Sequence, residues 1–207
     1  LPPVDISLKF KTENQKLLLT AGATEPGGPL LNVDGKLPFL PRAWIDREKD
    51  PNNGKLEIRA YSPELDLRRA QPFVPAINSI TGNLKLDVIV TGTIANPKYA
   101  GSAKARISKM RIQDSPISTF RDTSFDVTFL GKVATIQPST INAAGGSAKI
   151  SGTVNLEGNE PVFDINLNGR YLLLHRSADY TFRGHTNLDL RGPLSAATLS
   201  GKVELTG

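Results

Sequence analysis

Strict alternation of apolar and polar residues recurs along most of this 207-residue chain. It is clearest near the start, where Val4, Ile6, Leu8 and Phe10 are each separated by one polar residue. Because successive side chains of a strand point to opposite faces, a period of two predicts strands with one apolar and one polar face. About a dozen such runs, bounded by Gly, Pro and Asn, predict an all-β fold of antiparallel strands with little or no helix.

The alternating pattern also repeats at an offset of 100 residues. Gly92 and Gly101 in the first copy correspond to Gly192 and Gly201 in the second. In both copies the apolar parity switches between the two glycines, as it does in a hairpin whose two strands share one apolar face. We therefore expect a curved hairpin in each copy, with its two glycines close together across the ladder, where a missing side chain permits a bend. The hairpins are predicted at residues 82–107 and 182–206.

Glycine and proline predict where the strands are interrupted. The best helix candidate, Leu67 to Ile77, contains Pro72 and Pro75, which limit it to a turn or two. Residues 22–41 are rich in Gly and Pro, and we expect a loop and an irregular edge there. Residues 50–54 read Asp-Pro-Asn-Asn-Gly, which predicts a turn between strands.

Composition bounds the compartment and the partners only loosely. The chain has no cysteine, which removes thiol chemistry, disulfides and Cys-ligated zinc. Its net charge is +5, and the basic residues are scattered, so no nucleic-acid-binding stripe is predicted. No run approaches the ~18 apolar residues of a membrane helix. Because the first residue is Leu1 and no signal peptide precedes the strands, we expect a segment of a longer protein, with any anchor outside it.

Side chains that carry catalysis are sparse and poorly spaced. His175 and His185 have no Cys or second His at metal-ligand spacing, and no nucleophile elbow or phosphate loop is present. The acidic run from Asp46 to Glu57 departs from a calcium loop because Pro51 stands where the loop needs Gly. Trp44 is expected to be a packed edge residue. We therefore predict no enzymatic activity and no catalytic, cofactor-binding or metal site.

A sheet with one apolar face has to cover that face. It does so by folding over on itself, by packing on a second sheet, or by holding an apolar ligand. A closed sandwich or barrel with an ordinary core is therefore an alternative to an open groove. Residues 82–94 would span about 43 Å as a strand, which is longer than an acyl chain and long for an ordinary sandwich.

The stretch 65–107 carries a pattern that resembles a known family. It contains ITGNL at 80–84, VTGTI at 90–94 and NPKYAG at 96–101. The second copy, at 180–207, has the same sequence pattern but has Ala197 where the first has Pro97. This pattern resembles the C-terminal region of the TamB family, within the AsmA-like group of bacterial envelope proteins.

The resemblance implies both a fold and a role. The fold is an open, strongly curved antiparallel sheet, sometimes called a β-taco, with an aliphatic concave face. Residues 1–207 would form a single curved β segment of a longer chain. Family members are anchored in the inner membrane, extend through the periplasm, and are associated with phospholipid passage between membranes and with outer-membrane protein assembly through a β-barrel partner.

On this basis we predict a groove that shields phospholipid acyl chains. The alternative is a protein-interaction module that adds a strand to a β-barrel assembly protein, or a closed scaffold, without lipid. Neighbouring segments of its own chain are expected to pair with the strands; no cofactor and no nucleic acid is expected. The predicted lipid-facing residues are Leu84, Leu86, Val88, Val90, Ile94, Tyr99, Phe125, Val127, Phe129, Ile150, Val154, Phe163, Ile165, Leu167, Leu188, Leu190, Leu194, Leu199, Val203 and Leu205.

Overall fold

The computed structural model describes residues 2–39, 54–69, 71–113, 119–143, 145–176 and 179–206. The predicted turn at 50–54 lies outside these residues except for its last position, Gly54. Trp44 and the acidic residues from Asp46 to Asp50 also lie outside them.

Twelve strands make up the described chain, and each joins its sequence neighbours in one sheet. The strands are β1 (Asp5–Glu13), β2 (Lys16–Glu25), β3 (Gly28–Pro38), β4 (Lys55–Asp66), β5 (Ile77–Thr93), β6 (Pro97–Ile112), β7 (Thr119–Gly131), β8 (Val133–Ala143), β9 (Gly146–Asn155), β10 (Val162–Arg176), β11 (Thr181–Pro193) and β12 (Thr198–Thr206). Their order in the sheet is the order in the chain. The sheet is antiparallel, open and unclosed, which confirms the predicted all-β fold.

The chain divides into two compact units. Unit 1 comprises Leu1–Leu65, Lys85–Ser102 and Phe129–Lys132, and unit 2 comprises Asp66–Leu84, Ala103–Thr128 and Val133–Gly207. In unit 1, cross-strand pairing between β1, β2, β3 and β4 aligns apolar residues in rows. These rows are Ile6–Ala23–Leu31, Leu8–Ala21–Val33–Ala60 and Phe10–Leu19–Gly35–Ile58.

The expected loop at residues 22–41 is wrong over residues 22–38, and residues 40 and 41 lie outside the described residues. Strand β2 continues to Glu25, and β3 occupies Gly28–Pro38. The prolines lie near the ends of β3, where the loss of a backbone donor matters least. Gly35 is a strand residue, and a Cβ at this position would make ordinary van der Waals contacts with Leu19 and Ile58. Only residues 26 and 27 form a turn between the two strands.

The predicted short helix is confirmed as two isolated 3-10 turns. They occupy Leu67–Arg69 and Gln71–Phe73, in the connection between β4 and β5. The prolines of this connection prevent a longer helix because each removes a backbone donor.

Gly101 and Gly201 have matching surroundings, 100 residues apart. Both have positive φ, +124° and +137°. A Cβ on Gly101 would collide with the backbone of Asp87, and one on Gly201 with the backbone of Asn187. Gly201 pairs with Leu188 rather than lying opposite the glycine nine residues earlier, so the expected glycine–glycine contact is wrong for that hairpin. The close approach of the opposite backbone explains the need for glycine, because it leaves no room for a Cβ.

Replacing Gly101 with Ala should therefore destabilise the chain. We expect a loss of about 1–3 kcal/mol in the free energy of unfolding, because alanine adds both backbone strain and a clash with the Asp87 carbonyl. Gly27→Ala is the control, since nothing lies within 4 Å of the added carbon, and its change should stay within about 0.5 kcal/mol. Urea denaturation measures both. Equal effects would contradict the close approach.

Candidate apolar binding face

In unit 2 the strands β8 to β12 align their apolar residues in continuous rows. Paired residues of antiparallel strands point to the same side of a sheet, so each row lies on one face. We call this side the apolar face of unit 2. Its rows are Ala134–Val154–Phe163–Gly192, Ile136–Gly152–Ile165–Leu190–Leu199, Ser139–Ile150–Leu167–Leu188–Gly201 and Ile141–Ala148–Gly169–Thr186–Val203. Leu205 extends it, because Gly184 pairs with both Leu205 and Leu172.

Ion pairs show which residues of β5, β6 and β7 lie on the polar face of each unit. In unit 1 Arg59 contacts Asp87 across the sheet, so both residues lie on the polar face. Leu86, Val88 and Val90 alternate with polar-face positions and lie on the face of Ile58, which we call the apolar face of unit 1. Tyr99 lies two residues before Gly101, which packs against Val88, and so shares that side.

The pair Arg106–Asp126 gives the corresponding assignment for unit 2. Its two side chains meet on the polar face, at 2.7 Å. Phe125 and Val127 flank Asp126 and therefore face the other way. Leu84 and Phe125 pack together with a buried cluster formed by Leu67, Ile80 and Ile107. Phe129, two residues beyond Val127 on β7, belongs to unit 1.

Two of the predicted groove residues do not lie on strands. Ile94 follows the end of β5, and Leu194 begins a 3-10 turn after β11. Both are exposed, and the backbone N–H of Leu194 donates to the carbonyl of Pro161. Alternation alone extended these strands too far, because the hairpin turns begin where the pattern still holds.

The degree of burial distinguishes this face from a closed core. None of the predicted groove residues is fully buried. Those on β5, β6, β7, β9, β10 and β11 are half-buried, while those on β12 are exposed, Leu199 by 65%. A core closed by a second sheet would bury most such aliphatic side chains completely. The structure therefore presents an aliphatic surface that is partly covered by neighbouring side chains and partly open to solvent.

Sequence analysis left out part of this surface. Ile6, Leu8 and Phe10 of β1 lie in the rows of unit 1 together with Leu19 and Ile58. Ile6 is 82% exposed. Alternation in β1 was clear, and the same signal that selected the later strands would have included these residues.

Buried hydroxyls in the sheet bond mainly to backbone. Ser62 donates to the Leu30 carbonyl, and Ser139 donates to the Gln137 carbonyl at 2.7 Å while accepting from the Asp126 N–H. Ser139 stands beside the bulge of β8, where the ladder is interrupted. Thr123 similarly accepts from the Asn142 N–H. These hydroxyls bond to backbone groups where the ladder is irregular, so they are not available to hydrogen-bond a ligand.

Ion pairs join neighbouring strands on the polar face. Besides Arg59–Asp87 and Arg106–Asp126, Arg191 contacts Asp164 at 3.1 Å. The hydrogen bond from Arg106 holds the pKa of Asp126 below its usual value. All of these pairs are substantially exposed, so each contributes at most about 1 kcal/mol to stability. Their main effect is to fix which face remains in water.

Both histidines lie against aromatic rings. His185 meets the ring of Tyr171 edge-on at 4.7 Å, and His175 lies beside Phe182. Within the described ranges, no three His, Cys, Asp or Glu side chains come together as they would around a metal ion. The same part of the chain contains no helix long and apolar enough to cross a membrane.

Comparison with known proteins finds a family model that matches part of the chain. Residues 137–206, about a third of the chain, match the family model of the TamB C-terminal domain. That range covers β9 to β12 and most of β8, the strands whose rows form the apolar face of unit 2. No curated protein and no solved structure matches the chain.

The TamB family consists of non-enzymatic modules of the bacterial envelope, associated with protein assembly and lipid transport. The match includes nearly all of the second stretch of the predicted resemblance, 180–207, and none of the first, 65–107. Residues 137–206 are similar to the TamB C-terminal domain, and this match supports the TamB resemblance predicted from the sequence.

Proposed function

We propose that the apolar faces shield phospholipid acyl chains during transport between the inner and outer membranes, and so support outer-membrane protein assembly. The observation that carries this proposal is the set of in-register rows whose Leu, Ile, Val and Phe side chains remain half-buried or exposed. In this proposal the segment works in the periplasm of a Gram-negative-type envelope, within a longer protein anchored in the inner membrane. Its lipid-facing residues are those predicted from the strands, without Ile94 and Leu194.

The chemistry of the faces suits a ligand that slides. Each acyl CH₂ removed from water contributes about 0.8 kcal/mol, so a partly covered chain is already held usefully. The rows of unit 2 consist of Leu, Ile, Val, Ala and Gly, apart from the ring of Phe163 and the hydroxyls of Ser139 and Thr186. The Ser139 hydroxyl is bonded to backbone and the Thr186 hydroxyl is buried, so neither gives a ligand an exposed polar anchor. Binding without an anchor allows a lipid to move along the surface.

Photo-crosslinking should detect lipid on one face only. A photoreactive amino acid at Val90 or Leu190 should capture phospholipid in cells, because both positions lie among the aliphatic rows. The matched controls are Lys85 and Asp189, on the same strands but on the polar face. Mass spectrometry of the adducts measures the capture. Equal capture from both faces would contradict the proposal.

A charge on the apolar face should block transport and leave the fold intact. Val88→Asp places a carboxylate among acyl chains, where desolvation is costly, yet a half-buried site lets the charge reach water in the lipid-free protein. The matched control is Ile89→Asp, the next residue on the same strand, which is 37% exposed on the polar side.

Circular dichroism and an envelope-integrity assay distinguish the outcomes. We expect Val88→Asp to keep its β spectrum and lose function, and Ile89→Asp to keep both. Loss of the folded spectrum in Val88→Asp alone would mean that this face is a closed core.

A second candidate function is strand addition, to a β-barrel assembly protein or to another segment of the same protein. The observation that favours it is that β1 and β12 are the outer strands of the described sheet. β12 carries Leu199, Val203 and Leu205 as exposed side chains. An outer strand with an apolar side is a template for another strand.

Proline substitutions on β12 test this candidate. In an antiparallel ladder successive residues direct their N–H groups to opposite sides, so one of Lys202 and Val203 bonds to β11 and the other points outward. Proline at the inward position should lower the free energy of unfolding by about 3 kcal/mol. Proline at the outward position should mainly weaken association, as measured by sedimentation across a concentration series. A chain that stays monomeric with and without these changes would argue against strand addition.

A further inference from the structure

The connection between β4 and β5 covers part of the apolar face of unit 2. We call its two 3-10 turns, Leu67–Arg69 and Gln71–Phe73, the strap. Leu67 is only 8% exposed, and it packs on Ile80 of β5 and Ile107 of β6. Among the described residues of β5 and β6, Ile80 and Ile107 are the fully buried ones, at 8% and 7% exposure.

Strand register places this contact on the side assigned to lipid. Ile80 has the same parity as Leu84 along β5, so both point to the same face. Gly82 lies between them and packs against the backbone of Ile107, which puts Ile107 on that face as well. Leu84 and Phe125 also pack against this cluster. The Leu67 side chain thus makes the aliphatic contacts that an acyl chain would otherwise make here.

Several hydrogen bonds hold the strap in position. The Asp66 carboxylate accepts from the backbone N–H of Arg68 at 2.9 Å and from its guanidinium at 2.8 Å. The Gln71 side-chain amide donates to the Asn78 carbonyl on β5 at 2.9 Å. Beyond the strap, the Ile77 N–H donates to the Val74 carbonyl at 2.9 Å. These bonds anchor the strap at both ends, so it is a fixed part of the surface.

We infer that the strap excludes acyl chains from the part of the apolar face at Ile80 and Ile107, with Leu67 as the residue that fills this place. The inference rests on the proposed function, since it states where on the face lipid does not bind. Displacing the strap would expose Leu67, Ile80 and Ile107 together, and an entering acyl chain would only replace contacts that already exist. Lipid is therefore confined to uncovered surface, such as that formed by Leu86, Val88 and Val90.

A photoreactive phospholipid maps the excluded part directly. The 207-residue chain is incubated with vesicles containing phosphatidylethanolamine that carries a diazirine in one acyl chain, and labelled tryptic peptides are identified. Cleavage after Arg69, Lys85 and Lys98 separates a peptide with Ile80, residues 70–85, from one with Val88 and Val90, residues 86–98. We expect several-fold less label on 70–85 than on 86–98, because the first peptide contains one proposed lipid-facing residue, Leu84, which packs against the covered cluster, and the second contains Leu86, Val88 and Val90.

Variants of the strap test the role of Leu67. Leu67→Ala leaves an apolar cavity of the kind that takes up apolar ligands, so label on 70–85 should rise to the level of 86–98. Leu67→Met conserves the volume and should keep the protection. Gln71→Ala loosens the tether to Asn78 without emptying the cluster, and it should give an intermediate rise even if Leu67→Ala fails to fold.

The outcomes separate the strap from the proposed function. Equal label on 70–85 and 86–98 in the unaltered chain would overturn the strap and leave the proposed function standing. Protection of 70–85 that persists in folded Leu67→Ala and in Gln71→Ala would also overturn it. Absence of label from 86–98 and from the Leu190 peptide, residues 184–191, would instead contradict the proposed function itself.

Discussion

Cross-strand register is the constraint on which the rest of the structure depends. Because side chains alternate with a period of two, one paired row fixes the face of every other residue on both strands. The pairing of Ile165 with Leu190 and of Leu190 with Leu199 therefore determines to which face the residues of β10, β11 and β12 point. A shift of one residue would move Asn166 and Asp189 among the aliphatic rows and move Ile165 and Leu190 to the polar face. Such a slip would replace every aliphatic neighbour in a row at once, so the rows together specify the register more strongly than any single contact.

The strand register continues past an irregular position only where a glycine or a side-chain hydrogen bond compensates for the disturbed backbone pairing. Gly101 lets two backbones approach at a point where a side chain would separate them. At the β8 bulge, Ser139 accepts the Asp126 N–H in place of a ladder partner. Such repairs let long strands bend without losing backbone hydrogen bonds, since an unpaired buried N–H or C=O costs as much as a lost bond. The apolar rows continue past each repair, which keeps the surface aliphatic.

Alternation predicted the strands and their faces well because it reports a local property, the side to which each residue points. It failed at residues 22–41 because the number of glycines and prolines was weighed and their positions were not: Gly35 is a strand residue, and Pro38 ends the strand. It also extended to Leu194, since nothing in the pattern marks where a hairpin turn begins. The burial of Leu67 against Ile107 depends on residues 40 positions apart, and periodicity within a strand carries no information about it.

The half-buried state of the aliphatic rows affects both the stability of the sheet and the room that is left for an apolar ligand. A sheet that closed over these residues would gain more from the hydrophobic effect and would leave no room for an apolar ligand. Here the backbone ladder and the flanking contacts within each row hold the strands, so the face does not have to be filled for the fold to persist. The strap shows the effect of covering one place on this surface. Ile80, where the chain supplies its own Leu67, is fully buried, whereas Val88 on the same strand remains half-buried. The difference between a covered and an uncovered place is thus set by one connection, and strand composition alone does not decide it.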